Sequence, residues 1–375
     1  MQTPALNKIR ERIAEATLEL VRIPSVTGEE KDIAKFLERW ARSQKQIARD
    51  DIIRLGNALI IGKSDKKRPT IALVGHIDTV PPQANAEAIG RDGSRIVGLG
   101  TTDMKGSIAV MQALFETLDL AQLPFALVLI LYDREEGPYL ENGLQPVLDQ
   151  VEFLHHLDLA VVMEPTDNTL QLGCMGGVHA RVTFVGQAAH SARPWEGQNA
   201  IHKAGPFLTA LLARPFQEID VNGLTFREAL SVTLAQGGTA RNVIPAKFEL
   251  NVNYRFAPSA PIDLTMNRAI AEIHKLAGDA QVEIVDRAPP GPVPTHNPLL
   301  QHLRTLGDLS IRPKQAWTDV ARFALCGVDA VNFGPGMGSQ AHQITEWIDL
   351  DAQMLAYEVL WRFVSTPLES KNISQ

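Results

Sequence analysis

Residues 69–78 read PTIALVGHID and residues 124–133 read PFALVLILYD: two short apolar runs, each ending on polar side chains with chemistry to offer. Continuous apolar runs of this length, bounded by polar residues, predict strands buried on both faces. KGSIAVMQALFETL (105–118) predicts a helix between them, and DLAVVMEP (158–165) adds another buried run. Upstream, Asn7 to Leu20 repeats apolar positions at helical spacing until RIPSVTGEE (22–30) breaks the pattern. Ser25, Thr27 and Glu29-Glu30 predict a loop and a capped second helix running to about Arg42. DDIIRLGNALIIG (50–62) is again β-rich. Apolar strands alternating with helices predict an α/β domain built on a mainly parallel sheet.

The texture changes after Gly177. HARVTFVG (179–186), FREALSVTLAQ (226–236) and AKFELNVNYRF (246–256) alternate like half-exposed strands. A loop and helix (191–212) follow the first, and a helix (262–277) and a strand, QVEIVD (281–286), follow the third. That β-α-β-β-α-β order predicts a compact α+β module with an antiparallel sheet. Proline-rich RAPPGPVPTHNP (287–298) leads back to α/β texture, which ends in a helix over AQMLAYEVLWRFV (352–364). The expected organisation is a discontinuous catalytic domain (1–176 and 292–375) with a smaller domain (177–291) inserted into it.

Composition narrows the function. At 375 residues, 45% hydrophobic and 21% charged, the chain is long enough to bury two cores and ordinary for a globular protein. A net charge of -7 argues against nucleic acid as partner, because phosphate binding needs concentrated Lys and Arg. No apolar run is long enough to span a bilayer, and the first residues carry no secretory pattern, so no membrane partner is expected. Two distant cysteines, Cys174 and Cys326, argue against a disulfide framework and suit a cytoplasmic location.

The chemistry lies in His, Asp and Glu residues that follow apolar strands, where ligands collect in open α/β sheets. In GHID, His76 and Asp78 are two apart and project to one side of an extended segment, as a metal-bound imidazole and its orienting carboxylate would; a loop-stabilising role is an equal alternative. Asp103, in GLGTTDMKGS (98–107), stands where an aspartate ordinarily caps a helix. Glu135 and Glu136, adjacent at a strand end, repel each other without a cation; a solvated loop is the bland alternative. Glu164 follows the buried run LAVV and needs a partner such as a metal. His342, in the glycine-rich loop GSQAHQITEWI (338–348), would alone pass for a surface residue. Each has a structural alternative singly; together they form the mixed imidazole and carboxylate set of a di-metal hydrolase, suited to zinc, with cobalt or manganese as substitutes.

HIDTVPP (76–82), GLGTTDMKGSIAVM (98–111), DREEG (133–137), MEPT (163–166), AHSARPWEGQNAI (189–201), ARNVIP (240–245) and AHQITE (341–346) occur in the order of one known family. The chain resembles the succinyl-diaminopimelate desuccinylase, acetylornithine deacetylase and aminoacylase family of di-zinc metallopeptidases. HSARPW (190–195), NYRFAP (253–258) and WTDVARF (317–323) resemble the actinobacterial desuccinylases. The resemblance implies two zinc ions per chain, one on His76 and Glu164 and one on Glu136 and His342, with Asp103 bridging and a cis peptide after it. It implies that Asp78 holds His76 and that Glu135 is the general acid/base of amide hydrolysis. It also implies a homodimer: the inserted dimerisation and lid domain would offer His190 to the partner's site, with Asn242 and Arg255 contacting substrate. Arg241, like Arg193 and Arg255, is either a surface charge or a fork for substrate carboxylates.

The implied substrate is an N-acyl amino acid, first N-succinyl-LL-2,6-diaminopimelate. Acetylornithine or another aminoacylase substrate, or a glutamate-releasing carboxypeptidase or dipeptidase activity, are the alternatives. One stretch departs from the family: Gly173-Cys174-Met175 stands where desuccinylases carry a basic pair. Either Arg181, Arg241 or Arg322 replaces that charge, or the substrate differs.

Overall fold

A computed structural model describes residues 3–84, 88–259 and 261–368. The chain divides into two compact units, one of Met1–Gly173, Pro294–Arg312 and Asp319–Gln375, the other of Cys174–Val293 and Pro313–Thr318.

The first unit is built on an eight-stranded sheet. Its spatial order is Ile52–Leu55, Ala58–Ile61, Ala126–Tyr132, Thr70–His76, Leu159–Val162, Ala330–Asn332, Leu170–Leu172, Ile311–Pro313. The four strands from Ala126–Tyr132 to Ala330–Asn332 run parallel, whereas the 52–61 hairpin joins them antiparallel. Every residue of Thr70–His76, Ala126–Tyr132 and Leu159–Val162 is buried, as their unbroken apolar sequences require. Burying each large aliphatic side chain there contributes about 1.5–3 kcal/mol. Helix Gly106–Thr117, buried from Gly106 through Phe115, packs between helices Thr3–Val21 and Leu350–Ser365.

Register fixes what emerges beyond the sheet. His76 pairs with Tyr132, Val74 with Val162 and Val162 with Asn332, and the Met163 amide donates to Val74 O over 2.9 Å. The segments after these strands, His76–Asp78, Asp133–Glu136 and Met163–Glu164, therefore leave from one edge. A small antiparallel sheet of Gly90–Asp92, Arg95–Val97 and Trp347–Asp349 gives no advance sign in the sequence, because its strands are three residues long.

The second unit has a five-stranded antiparallel sheet in the order Gln217–Val221, Leu224–Gly237, Lys247–Phe256, Gly176–Val185, Gln281–Ala288. Helices Gly205–Ala213 and Ile262–Ala277 cover it, with Phe184, Phe207, Tyr254 and Ile273 in the core. The sequence pattern predicts four strands here. The fifth, QEIDV, is short, half acidic in character and without a buried residue, so periodicity does not reveal it.

The cap expected from Ser25 and Thr27 does not form. Helix Lys31–Ser43 begins after Glu30 with no side-chain cap. The two hydroxyls instead donate to the GHID segment, Ser25 Oγ to Ile77 O over 2.8 Å and Thr27 Oγ1 to Asp78 Oδ2 over 2.9 Å.

Candidate metal centre

All six acidic and imidazole residues singled out after the strands, together with Asp78, lie in the first unit. His76 ends its strand fully buried, with Nδ1 3.1 Å from Asp78 O and 3.4 Å from Asp78 Oδ1. That leaves Nε2 directed at Asp103 Oδ1 (3.0 Å) and Glu164 Oε1 (3.9 Å). His342 Nε2 lies 2.9 Å from Glu136 Oε1 and 3.7 Å from Asp103 Oδ2. Asp103 therefore turns one oxygen to each histidine. Donor atoms of His76, Asp103 and Glu164 fall within 4.8 Å of one another, as do those of Asp103, Glu136 and His342, and of His76, Glu135 and Glu136.

These spacings suit metal ions. Two donors each about 2.1 Å from one ion stand up to about 4 Å apart, and nitrogen with carboxylate oxygen is a usual zinc donor set. Without a cation the site is electrostatically costly. Burial, and then the field of Glu164, pushes the Glu135 carboxyl well above the usual range, although Glu135 keeps some surface. Burial opposes the His76 imidazolium, but hydrogen bonds to Asp103 and Asp78 raise its pKa well above the ordinary value nonetheless. The hydrogen bond to Glu136 pushes His342 up to about 9.

The loops have specific supports. Asp103 sits in a turn, Thr101–Lys105, entered through Gly100 at φ 81° and containing a cis peptide between Asp103 and Met104. His342 adopts φ 63°, a left-handed conformation rare for a residue with a side chain. Gly334 passes so close to the Glu164 segment that a Cβ there would lie 2.5 Å from the carbonyl oxygens of Met163 and Glu164. Asp78 is the busiest support, accepting the Glu135 amide on Oδ1 (3.0 Å) and the Glu136 amide on Oδ2 (3.1 Å).

Sequence reasoning gave four residues no role at the site. Thr27 braces Asp78, and Glu346 binds the Asp103 turn through its carboxylate. Tyr132, edge-on to His76 at 6.5 Å, donates to buried Asp319 over 2.6 Å. The signal for Glu346 was its place in AHQITE, four residues after His342.

Arg322 corrects an expectation. It is 1% exposed and donates to Asp319 Oδ1 (2.8 Å), Gln145 Oε1 (3.1 Å) and Tyr139 O, so its guanidinium is committed internally rather than held for a substrate carboxylate. Arg181 pairs with Glu283 at 2.6 Å.

The remaining site residues lie in the second unit. His190 and Asn242 are exposed and adjacent, the Ser191 amide donating to Asn242 O over 2.9 Å beside a bridge between His190 and Val243. Arg241 immediately precedes Asn242 on the same exposed turn. Arg255, half-buried, lies across from Gly177 in the sheet.

The chain is similar to known proteins over most of its length. A family model described as peptidase family M20/M25/M40 matches residues 72–366. A Mycobacterium tuberculosis protein named for succinyl-diaminopimelate desuccinylase is 35% identical over 93% of this chain and 97% of its own. The succinyl-diaminopimelate desuccinylase of Corynebacterium glutamicum is 36% identical over 88% of this chain and 90% of its own. Among solved structures, a Bacillus cereus aminopeptidase shares the fold with a TM-score of 0.75 at 17% identity, covering 95% of this chain and 98% of its own.

Proposed function

Because the chain belongs to peptidase family M20/M25/M40 and is a metal-dependent amidohydrolase, we propose that it hydrolyses N-succinyl-LL-2,6-diaminopimelate to LL-2,6-diaminopimelate and succinate. The observation that carries the chemistry is Asp103, whose two oxygens face two separate imidazole and carboxylate groups. The substrate follows from the names of the two actinobacterial relatives, which the chain matches over most of its length.

In this reading His76 and Glu164 would hold one zinc and Glu136 and His342 the other, with Asp103 offering an oxygen toward each group. Bound zinc lowers the pKa of water and polarises the amide carbonyl. Glu135 takes a proton from the attacking water and delivers it to the amine nitrogen as the C–N bond breaks. Its amide is pinned by Asp78, which fixes the backbone it projects from. His190 donates to the developing oxyanion, and Asn242, Arg241 and Arg255 meet the substrate's polar groups. The second unit serves as dimerisation and lid domain of a cytoplasmic homodimer. Among the described residues no helix is long and apolar enough to cross a membrane.

Separate incubation with succinyl-diaminopimelate, acetylornithine and a dipeptide ending in glutamate tests the substrate. Succinyl-diaminopimelate should give the highest kcat/KM; turnover of acetylornithine alone would overturn the proposal. Sedimentation showing an active monomer would remove the roles of the dimer and of His190.

A further inference from the structure

Glu346 is an acidic residue with no place in the scheme above, yet it is 1% exposed. Its carboxylate accepts three backbone amides of a single turn: Gly100 on Oε2 (3.0 Å), and Thr102 (2.9 Å) and Asp103 (3.1 Å) on Oε1. The flanking backbone reinforces the contact. Gly98 N donates to Glu346 O over 2.9 Å, and Thr102 Oγ1 donates to Trp347 O over 2.7 Å. Four residues upstream on the same segment stands His342, which faces Glu136 and the far oxygen of Asp103.

We infer that Glu346 is a positioning residue that locks the Asp103 turn to the His342 segment, so that the bridging carboxylate and the histidine beside it are set at one mutual distance. The inference rests on the two-metal reading of the cluster. Glu346 reaches no donor side chain itself. It acts on the amide of Asp103, and an amide held at 3.1 Å fixes the backbone position from which the carboxylate reaches both imidazoles. A bridging ligand has to satisfy two ions together, so loosening its backbone penalises the second ion bound more than the first. Losing an outer partner of a metal ligand typically costs about 10- to 100-fold in affinity.

A buried carboxylate on three loop amides could equally be a staple for the fold, and the experiment separates the two roles. Metal-free full-length wild type, E346Q and E346A are titrated with cobalt(II) by calorimetry. Their thermal midpoints without metal are recorded, and kcat and KM after loading. Gln is isosteric and keeps one acceptor oxygen, so E346Q should stay folded even where E346A does not. The expected result is a second cobalt bound about 10- to 100-fold more weakly in E346A and less severely so in E346Q, with kcat reduced and KM within about threefold of wild type. Folded variants that bind both ions and turn over like wild type would overturn the inference. So would a lowered midpoint with unchanged cobalt affinity, which is the signature of a staple. A wild-type chain that takes up no cobalt would instead overturn the metal reading itself, and this inference with it.

Discussion

Asp78 and Glu135 are joined directly: the Glu135 amide donates to Asp78 Oδ1 over 3.0 Å. The carboxylate beneath His76 thus also fixes the backbone from which the proposed general base projects, and one aspartate aligns both the proposed metal ligand and the proposed proton carrier. Replacing Glu135 by Gln leaves this backbone bond intact, so E135Q should lose activity without losing its metals. A fall in kcat of about 10²- to 10⁴-fold is expected for removal of a general acid/base, with metal content by atomic absorption equal to wild type. Activity retained within tenfold would assign the proton transfers elsewhere.

Metal uptake should release protons. Without metal His342 titrates at about 9, raised by its hydrogen bond to Glu136, so at pH 7 it holds a proton that a metal must displace. Apparent zinc affinity should therefore climb as pH rises from 6 and level off near 9. Calorimetry in buffers of different ionisation enthalpy measures the protons released, and H342N should release fewer. An affinity flat across this range would contradict the assignment.

Glu346 gives a pH signature of the metal-free fold. Burial raises its folded pKa to about 7, against three backbone amides that pull it down. Protons bind it more tightly in the folded than in the unfolded chain, so its contribution to stability is fully present below about 4.5 and is lost as pH rises through about 7. Gln does not titrate. The thermal midpoint of metal-free E346Q relative to wild type should thus improve between pH 4.5 and 7; a constant difference would show that Glu346 stays ionised throughout.

Arg322 and Asp319 form an ion pair with almost no exposed surface. Removing one member leaves a buried charge with its main counter-charge gone, so R322M should cost about 3–5 kcal/mol in urea denaturation, while R322M with D319N should cost less than the sum of the two. A loss under about 1 kcal/mol would mean that water reaches the pair.

The parts of this molecule that were legible in the sequence share one property: they announce themselves locally. His76, Glu135, Glu136 and Glu164 each close an apolar run, and a charged group ending a buried strand demands a reason. Asp103 and His342 needed family resemblance, because a helix-start aspartate and a loop histidine are common. The site roles of Glu346 and Thr27 stayed hidden because these residues work on backbone amides and on another carboxylate, which no spacing rule records. Arg322 misled for the same reason. Its three partners, Asp319, Gln145 and Tyr139, come from two separate stretches of chain, and only the folded sheet brings them together. The strand Gln217–Val221 escaped because pairing with a neighbour, rather than burial, holds it in place.

The first unit is closed by residues from both sides of the second in the chain. A ribosome therefore delivers His76, Asp103, Glu136 and Glu164, then the whole of the second unit, and only afterwards His342 and Glu346. During that interval the nascent chain carries a cluster of acids with one imidazole, while the turn bearing Asp103 still lacks its clamp. The donor group of Asp103, Glu136 and His342 is therefore completed only near the end of synthesis. A product terminated before residue 338 would hold most of the donors, but not His342 or the Glu346 clamp on the Asp103 turn.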